Sequence, residues 1–170
     1  APGLPVGHAL VQQGAMRGSS DRVTVQFRGR GGHGAMPERA ADPTLALACT
    51  VVAVQGIVSR NVAPADLAVI SVGRIESGTS YNVIPSDATL LLSLRAASPD
   101  VRKLLEARIR EVVMGQAASC GVEAQIGYEP LVPCVVNTAA ETALAHRAVA
   151  SVLGEVAVLT SHPRHHGSED

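Results

Sequence analysis

The sequence predicts an α+β fold of the ferredoxin-like type, a βαββαβ unit whose four strands form an antiparallel sheet with both helices on one face. Three observations lead to it. Three segments, Arg22 to Arg28, Asp87 to Arg95 and Val122 to Tyr128, place apolar residues at the two-residue period of a strand with one buried face, and Leu67 to Ile75 reads as a further strand. Two longer segments carry apolar residues at helical spacing. Each of these is opened by a polar residue followed by proline, Asp42-Pro43 and Ser98-Pro99, which is the chemistry of a helix start.

The first strand spans Arg22 to Arg28, with Val23, Val25 and Phe27 on one face and Thr24 and Gln26 on the other. A glycine-rich loop follows, Gly29-Arg30-Gly31-Gly32-His33-Gly34-Ala35-Met36-Pro37, in which the glycines are expected to turn the backbone tightly and bring His33 out unobstructed. The first helix runs from its cap, Asp42, to about Arg60. Leu45 to Val58 is apolar nearly all round, so this helix is expected to be covered on more than one side. Leu67 to Ile75 is the second strand, a loop occupies Ser77 to Pro85, and Asp87 to Arg95 is the third strand, with Ala88, Leu90, Leu92 and Leu94 on one face. The second helix has the stripe Val101, Leu104, Leu105, Ile109, Val112 and Val113, an i,i+4 pair Glu106 and Arg110 on its wet side, and Gly121 placed to stop it. The fourth strand, Val122 to Tyr128, puts Val122, Ala124, Ile126 and Tyr128 on one face, and Pro130 and Pro133 mark a boundary after it. A third helix, Thr138 to Leu153, lies outside the six-element unit.

Composition narrows the function. Apolar residues make up 46% of the 170 and aromatics only 2%, so the core is expected to be Val, Leu, Ile and Ala. A net charge of −1 with no basic stripe argues against a nucleic-acid partner. No apolar run is expected to span a bilayer, so no membrane partner is expected. The N-terminus lacks a basic segment followed by an apolar stretch, which argues against a signal peptide. The chain does not begin with Met, and it stops at Gly167-Ser168-Glu169-Asp170 without a closing element, so both ends read as cut. Cys49, Cys120 and Cys134 are odd in number and widely spaced, which fits reduced thiols in a cytoplasmic protein better than disulfides or a cysteine zinc site.

The chemistry-bearing candidates are few. Gly29, Gly31 and Gly34 match the spacing of a dinucleotide fingerprint, but the helix opens only at Asp42, too late for its N-terminus to meet a pyrophosphate. His33 in that loop can donate to a developing oxyanion or bind a carboxylate. Asn82, in a second loop of small residues, can both donate and accept. Arg95 ends the third strand on the face opposite Leu92 and Leu94, where a guanidinium is suited to bidentate capture of a carboxylate. His162, His165 and His166 cluster near Glu169 and Asp170 but match no recognised ligand spacing, and no serine-hydrolase elbow is present. Taken singly, each candidate reads more readily as an ordinary loop, turn or strand-end residue than as a functional one.

Together the segments resemble one family. Ala1-Pro2-Gly3-Leu4-Pro5-Val6-Gly7, the loop Gly29 to Pro37, Ala41-Asp42-Pro43, Ser59-Arg60-Asn61, Ser71-Val72-Gly73, Gly78-Thr79-Ser80-Tyr81-Asn82-Val83-Ile84-Pro85 and the closing Gly167-Ser168-Glu169-Asp170 are similar, in this order, to motifs of the zinc-dependent amidohydrolases of the aminoacylase type, in particular the hippurate-hydrolase and indoleacetyl-amino-acid hydrolase branch. The resemblance implies that residues 21–129 are a lid and dimerisation domain, and that residues 1–20 and 130–170 are flanking pieces of a truncated α/β catalytic domain. It implies cleavage of the amide bond of N-acyl-amino acids with a pair of divalent metals, usually zinc, held by motifs that this chain lacks. The chain is therefore expected to bind no catalytic metal and to be inactive alone. By the same resemblance His33 would be the catalytic lid histidine, and Asn82 and Arg95 would hold the substrate carboxylate. His166 stands where relatives usually have Met. A homodimer through the lid is implied as well, and two features of the chain favour it: the all-round apolar first helix, and the second strand, which the usual strand order leaves at an edge. The competing class is a non-enzymatic small-molecule-binding or regulatory ferredoxin-like domain.

Overall fold

The computed structural model describes residues 3–161. His162, His165, His166, Gly167, Ser168, Glu169 and Asp170 lie outside the described residues. The central unit consists of β1 (Ser20–Arg28), α1 (Pro43–Asn61), β2 (Ala68–Ser77), β3 (Asp87–Ala96), α2 (Pro99–Ser119) and β4 (Glu123–Val132). The four strands form one antiparallel sheet in the order β2-β3-β1-β4. This is the expected ferredoxin-like arrangement, with β2 at one edge and β4 at the other.

Both helices start as their sequences dictate. The Asp42 carboxylate accepts from the Thr44 amide at 2.8 Å, and the Ser98 hydroxyl from the Val101 amide at 3.2 Å. Gly121 adopts φ +65°, the left-handed conformation that ends α2. Arg110 pairs with Glu106 at 2.8 Å on the exposed side of α2.

The core lies between the sheet and the helices. Val23, Val25 and Phe27 of β1 and Leu90, Leu92 and Leu94 of β3 meet Leu47, Val54 and Ile57 of α1 and Leu105, Ile109 and Val113 of α2, all buried. Each such side chain stabilises the fold by about 1.5–3 kcal/mol relative to exposure. Phe27 is the one aromatic fully inside, so branched aliphatics fill the layer as the composition requires.

Three local expectations are corrected. The 19 residues of α1 do reach the length and mean hydropathy, 1.4, of a bilayer-spanning helix. The helix instead packs both on the sheet and along α2, covered on two sides as expected, while Leu45 and Val52 on its outer face stay exposed. The fourth strand does not stop before Pro130 but runs to Val132. An edge strand tolerates a proline, and Leu131 forms a bulge between the pairs Asp21–Pro130 and Ser20–Val132. The glycine loop, finally, contains no positive φ at Gly29, Gly31, Gly32 or Gly34. Its glycines permit close approach rather than a turn. A Cβ on Gly29 would stand 2.1 Å from the Ala41 carbonyl, on Gly31 2.8 Å from that of Ile84, and on Gly34 2.9 Å from that of Asn82.

The flanking segments meet each other below the sheet. Gly14–Arg17 pairs antiparallel with Val135–Asn137, and Ala9–Leu10 pairs parallel with Val158–Leu159. Between them α3 (Ala139–Leu153) follows its N-cap Thr138 and buries none of its residues. The chain thus enters and leaves the sheet through the neighbouring strands β1 and β4, along one two-stranded connector.

Candidate functional site

The first cluster is at the tip, the end of the sheet remote from the connector. Gly32–His33 and Val83–Ile84 form a two-stranded pair in which His33 lies directly opposite Val83. The Gly34 amide donates to the Asn82 carbonyl at 2.8 Å. This pair, absent from the sequence-based reading, draws the glycine loop onto the Ser77–Pro85 loop and brings His33 and Asn82 together. Both side chains are exposed, and Tyr81 beside them is fully so. Clefts of about 550 Å³ and 510 Å³ adjoin the Gly78–Pro85 segment, and neither is lined by His33 or Asn82.

Two hydrogen bonds fix what this cluster can offer. The Ala35 amide donates to His33 Nδ1 at 3.1 Å, so in the neutral ring the proton is on Nε2, which is left as a donor. The Ser80 hydroxyl donates to Asn82 Oδ1 at 2.8 Å, which turns the amide NH₂ outward. The tip therefore presents two N–H donors, the complement of an oxyanion or a carboxylate.

Arg95 is elsewhere. It lies on the open face of the sheet, between buried Leu94 and Ala96, as alternation requires, and it pairs with Val69 near the connector end of β3. Eight residue steps along the strand separate it from Asp87 at the tip end, about 27 Å. Within one protomer the structure brings His33 and Asn82 together and leaves Arg95 at the opposite end.

Close to Arg95 the structure contains a polar cluster that the sequence-based reading missed. Asp21, 2% exposed, is held by Arg102 of α2 through Nε at 2.9 and 3.0 Å and through a second contact from Nη2. The Tyr128 hydroxyl donates to Asp21 at 2.7 Å. This carboxylate holds the Arg102 guanidinium protonated beyond its usual range. Burial, reinforced by the hydrogen bond to Asp21, pushes the Tyr128 phenol up. The signal was present: Asp21 shares the parity of Val23, Val25 and Phe27, so alternation already aims an acid at the core.

Among the described residues no three His, Cys, Asp or Glu side chains converge as a metal site. The buried Asp21 is taken up by Arg102 and Tyr128.

Comparison with known proteins places this arrangement. Residues 14–119 match the peptidase dimerisation domain of the M20 family. The chain is similar to the hippurate hydrolase of Campylobacter jejuni, at 37% identity over 160 residues, covering 94% of the chain and 42% of that protein. It is similar to the N-acetylcysteine deacetylase of Bacillus subtilis at 35% identity, covering 80% of the chain and 36% of that protein. Among solved structures it superimposes on the YXEP protein of Bacillus subtilis, described as a dinuclear metal-binding M20 peptidase, with a TM-score of 0.77 at 28% identity, covering 99% of this chain and 41% of that one. The chain thus spans about two fifths of the length of these relatives. With the domain match, the sequence identity to these relatives and the superposition in agreement, the chain belongs to the M20 family of amidohydrolases and peptidases and carries its dimerisation domain.

Proposed function

We propose that this chain is the lid of a metal-dependent amidohydrolase that cleaves N-acyl-amino acids, and that it works as a two-fold homodimer. The observation that carries the reading is the separation of the candidate groups, with His33 and Asn82 at one end of the sheet and Arg95 at the other. One small substrate cannot touch all three within a protomer.

Edge-to-edge pairing resolves the separation. Strand β2 is an open edge, and a two-fold mate would run antiparallel to it. The Ser77 end of one β2 then lies beside the Ala68 end of the other. Ser77 pairs with Ala88 near the tip, and Ala68 with Ala96 next to Arg95. The tip of one protomer would thereby approach the partner's Arg95 across three inter-strand spacings, about 14 Å, a span that an N-acyl-amino acid and an arginine side chain fill together. Helix α1 lies over β2 and β3, so the same axis would cover its exposed Leu45 and Val52.

In the reaction the His33 Nε2–H would donate to the oxygen of the scissile carbonyl as charge develops on it. The Asn82 amide would hold the substrate beside it, and Arg95 from the other protomer would orient the free carboxylate. The divalent metal pair of the family, zinc by resemblance, supplies water activation. By the same resemblance the motifs that hold this pair are ones this sequence lacks, so this stretch alone is expected to be inactive. The three free cysteines support a cytoplasmic enzyme.

Sedimentation velocity tests the dimer. The chain is expected to show a monomer–dimer equilibrium that Val52→Glu combined with Ile75→Lys weakens at least tenfold, since both side chains are more than half exposed on the face to be covered. A strict monomer at 100 micromolar (about 10⁻⁴ M, within the range of weak association) would overturn it.

A further inference from the structure

We propose that Ser19, held by Asp21, is a positioning residue for Arg95. This rests on the reading of Arg95 above as the group that receives the substrate carboxylate.

The pairing of β1 with β3 ends at Asp21–Leu94, one residue short of Arg95. Beyond that point Ser19 takes over from the β1 ladder. Its amide donates to the Ala96 carbonyl at 2.7 Å, and the Ala96 amide donates to the Ser19 hydroxyl at 3.2 Å. The second bond grips the peptide unit that joins Arg95 to Ala96, and so sets the direction in which the Arg95 side chain leaves the sheet. Ser19 is fully buried, so water offers no substitute for these bonds.

The serine is itself anchored. Its hydroxyl donates to Asp21 at 3.5 Å, the long limit of a hydrogen bond, and Asp21 is fixed by Arg102 and Tyr128. The restraint therefore runs from α2 through Arg102, Asp21 and Ser19 to Ala96 and Arg95. A buried ion pair is an inefficient way to stabilise a core, since apolar residues of the same volume do as well or better. What it supplies is a fixed geometry, and the part of the molecule it fixes is the strand end that carries Arg95.

The test uses the complete enzyme and compares an N-acyl-amino acid with its carboxamide. Ser19→Ala removes one hydroxyl and retains the Asp21–Arg102 pair. It is expected to raise KM for the carboxylate substrate about tenfold with kcat within twofold, and to leave the carboxamide unaffected. In the background of Arg95→Ala it is expected to add no further loss, because the two act through one contact. Equal losses on both substrates, or losses additive with Arg95→Ala, would show that Ser19 serves stability alone. If Arg95→Ala itself fails to distinguish the two substrates, the role of Arg95 falls and this inference falls with it; discrimination by Arg95→Ala but not by Ser19→Ala sinks the inference only.

Discussion

At the scale of single residues, two side chains make separable demands. The Ala35 amide locks the neutral His33 ring with its donor outward. If that donor meets charge only in the transition state, His33→Ala in the complete enzyme lowers kcat by about 10²–10³ with little change in KM. A rise in KM at constant kcat would make His33 a binding group instead. Tyr128 makes a different prediction. Its phenol is raised above the usual tyrosine value of 10.0 by burial first and by the bond to Asp21 second. An acid whose folded value is raised contributes stability that is complete below its unfolded value and is lost as pH climbs past it. Stability is therefore expected to fall between pH 10 and pH 12 (a range that brackets the free tyrosine value of about 10), and Tyr128→Phe, although less stable at neutral pH, is expected to show a shallower fall. Thermal unfolding across that range measures both slopes, and parallel slopes would refute the assignment.

At the scale of elements, the glycines divide by what surrounds them. Gly29 sits where a Cβ would overlap a backbone carbonyl that no rotamer change can move. Gly29→Ala is expected to cost about 2–3 kcal/mol and to displace the glycine loop from Ala41. At Gly115, inside α2, an added Cβ would meet nothing within 4 Å, and φ is not positive. Gly115→Ala is expected to stabilise by about 0.5–1 kcal/mol. Denaturant unfolding of the two variants reads the opposite signs directly, and destabilisation by Gly115→Ala would overturn the assignment of that site as open space. The bulge at Gly73 in β2 is a further element-scale feature: Val72 pairs with Leu92 and Arg74 with Leu91. It switches Ile75 onto the helix side of the sheet at the open edge, where its side chain is half exposed.

At the scale of the molecule, the proposal that each site draws on two protomers has a consequence that no single-chain enzyme shares. His33→Ala spoils the tip and Arg95→Ala spoils the connector end. Each homodimer of these variants lacks an essential group in both sites, whereas a mixed dimer holds one site with neither defect. Dissociating and remixing the two impaired enzymes, assayed with a carboxylate substrate well below its KM, is expected to restore about a quarter of the original activity, the statistical yield for an isologous pair. No recovery after verified subunit exchange would return all three groups to one protomer's site or dismiss one of them.

The sequence alone determined the fold class, both helix caps and the open face for Arg95, because each depends on short-range chemistry: a two-residue period, a cap followed by proline, the parity of a side chain along a strand. Asp42 and Ser98 cap their helices whatever the rest of the chain does. The continuation of β4 through Pro130 was hidden, because a proline is forbidden in a central strand and tolerated at an edge, and strand position is a tertiary fact. The role of the glycine loop was hidden for the same reason: close approach to Ala41, Ile84 and Asn82 involves residues up to about fifty positions away, and only their packing shows why a Cβ is excluded. Asp21 was legible by parity, yet its partners Arg102 and Tyr128 come from helix α2 and the neighbouring edge strand β4, both more than eighty positions away in sequence. Most of all, the tertiary structure decided that His33 and Asn82 stand together while Arg95 stands apart. Sequence names the donor groups; the length of a strand, which carries its two ends tens of ångströms away from each other, sets where they can meet.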